Sequence, residues 1–311
     1  MVNTRTPISV FLVACILSLA FPVQAKVVDL SSDFEQPVSS GTGGRSLLVE
    51  EITATWCPTC AEVDPELTQV ADSHGSRIAM IALHPSDGED AFQPPAAKHR
   101  LERHRLANDA LVNYSTPTFV VEGGEPRIGY DAWQDVQKDI LNTELIRQEV
   151  SELAFTVERT EVGYRATVTQ ANLINKEEAQ LTFMVIEHHK NMPEGAFNPG
   201  GPSRDRVLVA SAGCDLSSNT IISSIDLLSS SAPSTCADSF TVEFQPYASW
   251  SVILVHEQVN ESIDEGERLM SYGAVELAFR ERATQEPISS LGPWLIGLAV
   301  VLAISSIIRK K

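Results

Sequence analysis

Cys57-Pro58-Thr59-Cys60 stands between an apolar run, Leu47 to Val49 continuing through Ile52, and a segment whose apolar residues Cys60, Val63, Leu67, Val70 and Ala71 fall at helical spacing. A chain that passes from strand to helix through this motif brings both sulfurs to the helix's first turn. Unsatisfied backbone N–H groups and the helix dipole there favour a thiolate, which is the nucleophile of disulfide exchange. A second cysteine one turn on can close on a mixed disulfide and release the partner. The same spacing makes half of a zinc site, but no second Cys-x-x-Cys and no His pair at ligand spacing accompanies it. The motif therefore reads as redox-active, with neither cofactor nor metal.

Downstream, Ile78 to Leu83 is a continuous apolar run of the kind shown by a parallel strand covered on both faces. Pro94 and Pro95 lead into an expected helix from Ala96 to Leu111. Thr118 to Val121 reads as a strand, Arg127 to Tyr130 as a short partner across a Gly-rich turn, and Asp131 to Val150 as a helix. This order implies a mixed sheet with helices on both faces. After residue 151 the period becomes two, as in Leu153, Phe155, Val157 and in Leu181, Phe183, Val185. About seven such strands between 152 and 257 suggest an antiparallel sandwich of immunoglobulin-like size. Residues 31 to 45, rich in Ser and Gly, read as a flexible lead-in, and a helix is expected from Arg268 to Arg282.

The termini carry their own patterns. Arg5, an apolar stretch from Ile8 to Phe21, and Val23-Gln24-Ala25 before Lys26 have the layout of a secretory signal peptide. Leu12-Val13-Ala14-Cys15 also has the form of a lipoprotein box. From Ile288 to Ile308 there is no charge, and Arg309-Lys310-Lys311 follows at once. Such a run reaches roughly 31 Å as a helix, the thickness of a bilayer's hydrocarbon core. The expected topology is a single-pass anchor in a cell membrane, with an extracytoplasmic body and a cytoplasmic C-terminus. A cleaved sorting signal has the same layout.

With Cys15 assigned to the signal, four of the five cysteines remain: Cys57 and Cys60, and a second pair, Cys214 and Cys236. In an oxidising compartment this suggests two disulfides. Acidic residues near Cys214 and Cys236 would raise a thiol pKa, so that pair is expected to be a structural bridge. The formal net charge of −18 argues against nucleic acid as a partner, because nothing would neutralise phosphates.

The segment Leu48 to Cys60, with Trp56 before the first cysteine, resembles the active-site entry of the thioredoxin superfamily. Pro65 matches the proline of that family's active-site helix. Thr116-Pro117-Thr118 is similar to its cis-proline loop, and Glu51 falls where the family often has a buried acid beneath the resolving cysteine. The resemblance covers roughly 46 to 148. It implies an α/β thioredoxin-like domain with Cys57 as nucleophile, Cys60 as resolving thiol, and Glu51 as proton exchanger. Trp56, Pro58, Thr59, Pro65, Thr116 and Pro117 would support them. His84-Pro85, an insert from Asp87 to Asn108 and a trailing sandwich look like the exported group labelled outer-membrane-protein-like. Thr before Pro117 is similar to some bacterial isomerases and reductases.

The expected fold is thus a thioredoxin-like α/β domain, an all-β immunoglobulin-like sandwich and a C-terminal transmembrane helix. Its parts are a signal peptide (1–25), a flexible linker (26–45), the thioredoxin-like domain (46–150), the sandwich (151–258), a juxtamembrane segment (259–287), the transmembrane helix (288–308) and a basic tail (309–311). The expected function is thiol-disulfide exchange with cysteine-containing exported proteins and a redox partner. The alternative is a non-catalytic surface protein that docks partners through the sandwich. The basic run Lys98 to Arg105 reads as a solvated helix face, able otherwise to steer acidic partners.

Overall fold

A computed structural model describes residues 26–281 apart from 265 and 267. Its strands are β1 (Lys26–Val28), β2 (Val38–Ser39), β3 (Leu47–Ile52), β4 (Ile78–Leu83), β5 (Thr118–Val121), β6 (Arg127–Ile128), β7 (Glu152–Arg159), β8 (Tyr164–Asn172) and β9 (Ala179–Glu187). They continue as β10 (Lys190–Asn191), β11 (Ser203–Arg204), β12 (Val207–Asp215), β13 (Thr220–Ile225), β14 (Ser229–Ser231), β15 (Thr241–Phe244), β16 (Trp250–Gln258) and β17 (Ser271–Phe279). The helices are α1 (Pro58–His74), α2 (Pro95–Ala107), α3 (Trp133–Ile146) and the single turn α4 (Cys236–Ser239).

Ten strands form one mixed sheet in the order β1-β17-β16-β9-β12-β4-β3-β5-β6, with β13 paired to β12 off this path. A second sheet of five strands runs β14-β15-β8-β7-β2. The expected α/β domain followed by a self-contained sandwich is corrected by this topology. β3 to β6 are not a sheet of their own, because β12 joins β4 in parallel at Val207 and Ala82, and the Ala82 N–H donates to Arg206 O at 2.8 Å. Backbone pairing thus runs unbroken from the Cys57 region into the C-terminal half, and among the described residues there is no separate thioredoxin-like sheet.

Side-chain alternation explains why this sheet is stable. In β9 and β16, Phe183, Val185, Trp250, Val252 and Leu254 point toward the five-stranded sheet and join its core with Phe155, Val168 and Phe244. Met184, Ile186, Ile253 and Val255 point the other way, into a core shared with Leu48, Ile52, Ile81 and Leu83 and roofed by Ala96, Ala97 and Leu101 of α2. A third core lies between β3, β4, β5 and the helices α1 and α3, through Val49, Val63, Leu67, Met80, Phe119, Val136 and Ile140. The middle strands are therefore buried on both faces. The period-two pattern of the C-terminal half suggests one solvated face, and α2 is what covers it.

The basic run on α2 is corrected as well. Arg100, Arg103 and His104 are buried. Arg100 donates to both carboxylate oxygens of Glu50 on β3, at 2.7 and 3.1 Å, and to Glu257 on β16 at 2.6 Å. Arg103 lies 3.4 Å from Glu257 and donates to Gln180 at 3.2 Å, and His104 Nε2 lies 2.9 Å from Glu50. These cations face carboxylates and leave the solvent to Lys98 and Glu102, whose pair is half exposed.

Two further expectations change. The stretch read as a helix from Arg268 to Arg282 contains β17, whose Ala274 faces the α2 core while Val275, Leu277 and Phe279 face the other. The lead-in is not free, since β1 pairs in parallel with β17 and β2 pairs with β7. The proposed signal (1–25), span (288–308) and tail (309–311) lie outside the described residues. Among the described residues no helix is long and apolar enough to cross a membrane. The expected transmembrane helix therefore has no counterpart among the described residues, and neither do the single-pass anchoring and membrane association built on it. Cys214, on β12, and Cys236, at the start of α4, form a disulfide with both residues buried.

This packing sets the response of stability to pH and to loss of the bridge. Burial alone would raise the carboxyls of Glu50 and Glu257, but Arg100, aided by His104 at Glu50 and Arg103 at Glu257, outweighs it. Glu257 is held down to about 2 from an ordinary 4.5, and Glu50 well below the ordinary range. A lowered carboxyl stabilises the fold above its unfolded pKa and loses that contribution as pH falls toward the folded one. Denaturant unfolding should therefore show stability declining from about pH 4.5 toward about pH 2. Arg100→Met, which removes the guanidinium shared by two buried carboxylates, should cost about 3–5 kcal/mol at neutral pH and flatten that acid limb. Replacing both Cys214 and Cys236 by Ala should lower stability by about 3 kcal/mol, read from the same unfolding curves, because the bridge restricts the unfolded chain.

Candidate active site

The edge of β3 delivers the chain to the first turn of α1 through Thr53 to Trp56. Cys57 is the N-cap of α1, in extended conformation, and its Sγ accepts the Cys60 N–H at 3.1 Å. Pro58 occupies the first helical position, where its missing N–H costs nothing. Pro65, inside α1, withholds the bond that a residue there would give to Ala61 O. Cys57 and Cys60 are joined in a disulfide with Cα atoms 5.3 Å apart. The Thr116–Pro117 peptide is cis, and Cys57 Sγ lies 3.6 Å from Thr116 O.

Cys57 stands at the start of α1. It is only 3% accessible, against 0% for Cys60, while Pro58 and Thr59 are exposed and Trp56 half-buried. Trp56 is held by its indole N–H, which donates to Asp87 at 3.1 Å. The loop beneath is clamped from two directions. The Thr55 N–H donates to Asp90 at 2.7 Å and the Ala91 N–H donates to the Thr55 hydroxyl at 2.8 Å. From the far half of the chain, Arg204 donates to Thr55 O at 3.2 Å and to Asn198 at 2.8 Å. The hairpin of β10 and β11 places Arg204, and Gly200 in its loop sits against α1 so closely that a Cβ there would stand 2.7 Å from Ala61 Cβ.

Glu50 and Glu51 are both buried, on opposite faces of β3. Glu50 faces the cations of α2. Glu51 faces a cavity of about 20 Å³ whose wall includes Thr53, Asp64, His84, Arg204 and Asp205. Burial pushes the Glu51 carboxyl well above its ordinary value, and the adjacent Asp64 adds to this. Burial also pushes Asp64 up to about 6, against the pull of Arg204, whose Nε is 3.7 Å away, and of His84. Two carboxyls that share a low-dielectric site cannot both ionise readily, so the pair retains a proton at neutral pH.

The structure thus brings Cys57, Cys60, Trp56, Pro58, Thr59, Thr116 and Pro117 together, places Pro65 on the same helix and Glu51 on the adjoining strand, and leaves Cys214 and Cys236 in the other core. Three participants were not singled out in the sequence: Asp64, Asp90 and Arg204. Asp64 was legible in principle, four residues after Cys60 and hence on the same helix face. Nothing in the sequence pointed to Arg204. His188 bonds Asp205 and Ser251 through its two ring nitrogens, each at 2.8 Å.

No protein-family model matches the chain, and no curated protein matches it. Among solved structures it is similar to HBP35 of Porphyromonas gingivalis, at 18% identity and a TM-score of 0.51, over 80% of this chain and 80% of that one. It also overlaps protein AGR_C_4864 from Agrobacterium tumefaciens, at 11% identity and a TM-score of 0.45, over 77% of this chain and 96% of that one. The likeness to HBP35 concerns the fold alone.

A carboxyl whose pKa is raised in the fold favours folding while protonated and opposes it as pH climbs from the unfolded value through the folded one. Glu51→Gln, which mimics the protonated form, should leave the melting temperature little changed near pH 5 and raise it increasingly as pH climbs from there toward the raised pKa of Glu51. A melting-temperature difference that is constant across this range would show Glu51 to be ionised throughout.

Proposed function

We propose that this chain is a thiol-disulfide oxidoreductase that exchanges disulfides with cysteine-bearing proteins through Cys57 and Cys60. The observation that carries the reading is the setting of Cys57 Sγ, which caps α1, accepts the Cys60 N–H and lies beside Thr116 O. A sulfur in that position is stabilised as thiolate by the helix terminus. The local likeness of residues 48–60 and 116–118 to the active-site segments of the thioredoxin superfamily supports the same chemistry.

In the reducing direction, the Cys57 thiolate attacks one sulfur of a substrate disulfide. A Cys57–substrate bond forms, and the other substrate sulfur departs with the bonding pair. Cys60 then loses its proton and attacks Cys57 Sγ, which forms the Cys57–Cys60 bond and expels the remaining substrate sulfur as a thiolate. Two electrons pass from the dithiol to the substrate. The oxidised form runs the same steps backward, and the partner's potential sets the direction. Exposed Pro58 and Thr59 frame the approach to Cys57, while buried Cys60 is reserved for the second step.

Insulin reduction under dithiothreitol tests the reading. The protein should accelerate it, Cys57→Ala should abolish the acceleration, and Cys60→Ala should trap a mixed disulfide with a model disulfide peptide. In the reduced protein, alkylation near pH 6 should label Cys57 first. A folded wild-type protein that neither reduces insulin nor, as Cys60→Ala, forms a mixed disulfide would overturn the assignment.

A further inference from the structure

The cavity beside Glu51 brings together more unpaired polar atoms than a packed interior ordinarily tolerates. Glu51 Oε1, Thr53 Oγ1, Asp64 Oδ1, His84 Nε2 and Arg204 Nε have no hydrogen-bond partner among the described residues, and all five side chains line this one space. Glu51, Thr53, His84 and Arg204 are each more than nine-tenths buried. Leaving a buried polar group unpaired forfeits its solvation with nothing in return. The volume, about 20 Å³, is that of a single water site, and a buried water makes two to four hydrogen bonds.

The acid-base character of the walls gives such a water a direction. His84 Nδ1 lies 2.8 Å from Asp90 Oδ2, and both side chains are fully buried. Asp90 also accepts the N–H groups of Thr55, Phe92 and Gln93. Burial alone would raise the Asp90 carboxyl, but the His84 hydrogen bond and these backbone donors hold it below its ordinary value. Asp90 accepts from His84 Nδ1, so the ring directs its other nitrogen, Nε2, toward the cavity, where it can accept or donate a proton. The opposite wall holds the Glu51–Asp64 pair. Asp64 stands one helical turn beyond Cys60 and so shares its face of α1. Arg204 Nε–H, the Thr53 hydroxyl and Arg206 Nε–H, which likewise lacks a hydrogen-bond partner among the described residues, bring three donors to the three acceptors on the walls of this space.

We propose that this cavity is a water site through which the His84–Asp90 dyad exchanges a proton with the Glu51–Asp64 pair, making His84 a positioning residue for the proton that Cys60 gives up. The proposal rests on the functional reading above only for the identity of that thiol. As Cys60 attacks Cys57 Sγ, its S–H bond breaks and the carboxyl pair takes the proton. The Cys60–Cys57 bond forms, and the substrate sulfur leaves with the electron pair. The carboxyl pair returns its extra proton through the water to His84 Nε2, and Asp90 stabilises the imidazolium. The charged and titratable groups that face His84 are Asp90 beside it, Glu51 from β3, Asp64 from α1, Arg204 from β11, and Asp205 and Arg206 from the segment joining β11 to β12. Asp205 is engaged by His188 and Arg206 by Asp72, at 2.8 and 2.9 Å, so neither competes for the proton.

The test uses the whole protein carrying a chromogenic thiol, thionitrobenzoate, as a mixed disulfide on Cys57, with Cys60 free to release it. The release rate should rise with pH through two ionisations in the wild type. His84→Gln, which can still bond Asp90 but cannot take a proton, should remove one of them and slow release about tenfold or more near neutrality, the scale of general acid-base assistance. Alkylation of Cys57 should be unchanged. Superimposable pH profiles for wild type and folded His84→Gln would overturn the relay. In parallel, NMR titration of the His84 ring in the wild type and in Glu51→Gln reads the coupling without any turnover. A displaced His84 titration supports the relay, and an unmoved one overturns it, whether or not His84→Gln folds. If Cys60 releases no thionitrobenzoate in any variant, the functional reading fails, and the NMR titration alone decides the water site.

Discussion

Arg100 is the residue on which the architecture turns. Its guanidinium spans from Glu50 on β3 to Glu257 on β16, so one planar group ties the strand that leads to the dithiol to a strand from the distant half of the chain. A guanidinium suits this task because its donors form a fixed fork and its charge persists when buried. The surrounding apolar contacts of Ala96, Ala97 and Leu101 hold α2 on the sheet, while the ion pairs fix where on the sheet it sits. Without a cation there, Glu50 and Glu257 would be uncompensated charges in a dry core, a state no amount of nearby apolar burial makes cheap.

The same strand produces two opposite acid environments from adjacent residues. Successive side chains of β3 alternate faces, so Glu50 enters the cationic layer under α2 and Glu51 enters the cavity behind α1. Arg100 keeps the first ionised, and burial beside Asp64 keeps the second protonated. An ionised carboxylate contributes structure, whereas a protonated one near a dithiol can trade protons with it. Exchanging the two faces by a one-residue slip of β3 would exchange these roles, and pairing with β4 and β5 on either side prevents that slip.

The dithiol loop is held by segments remote from it in sequence. Asp90 grips Thr55 from the segment after β4, and Arg204 grips the same residue from the β10–β11 hairpin. The C-terminal half is therefore part of the framework of the Cys57–Cys60 loop and not an appended module. Arg204 also reaches Asp64, which links the loop clamp to the acidity of the cavity. A change at the hairpin should be felt at the sulfurs both as geometry and as charge.

Some of this was legible in the chain itself. The pairing of Cys57 with Cys60 at a helix start, the apolar strands at 47–52 and 78–83, and the period-two strands beyond 151 follow from short-range rules, since backbone period and thiol spacing are local quantities. The fate of Lys98 to Arg105 was not local. Whether Arg100 meets water or carboxylate depends on Glu257, 157 positions away, and a run of charges has the same composition in either setting. Likewise, each strand's own pattern recorded that it pairs, but not with whom: the single register pair between Val207 and Ala82 turns two expected sheets into one. By itself the sequence determined that two cysteines meet at a helix start and, for most elements, the backbone period. Only the tertiary structure decided which charges are buried, which acid keeps its proton and which distant arginine closes the site, because those outcomes come from burial and pairing energies between residues that the chain brings together only when folded.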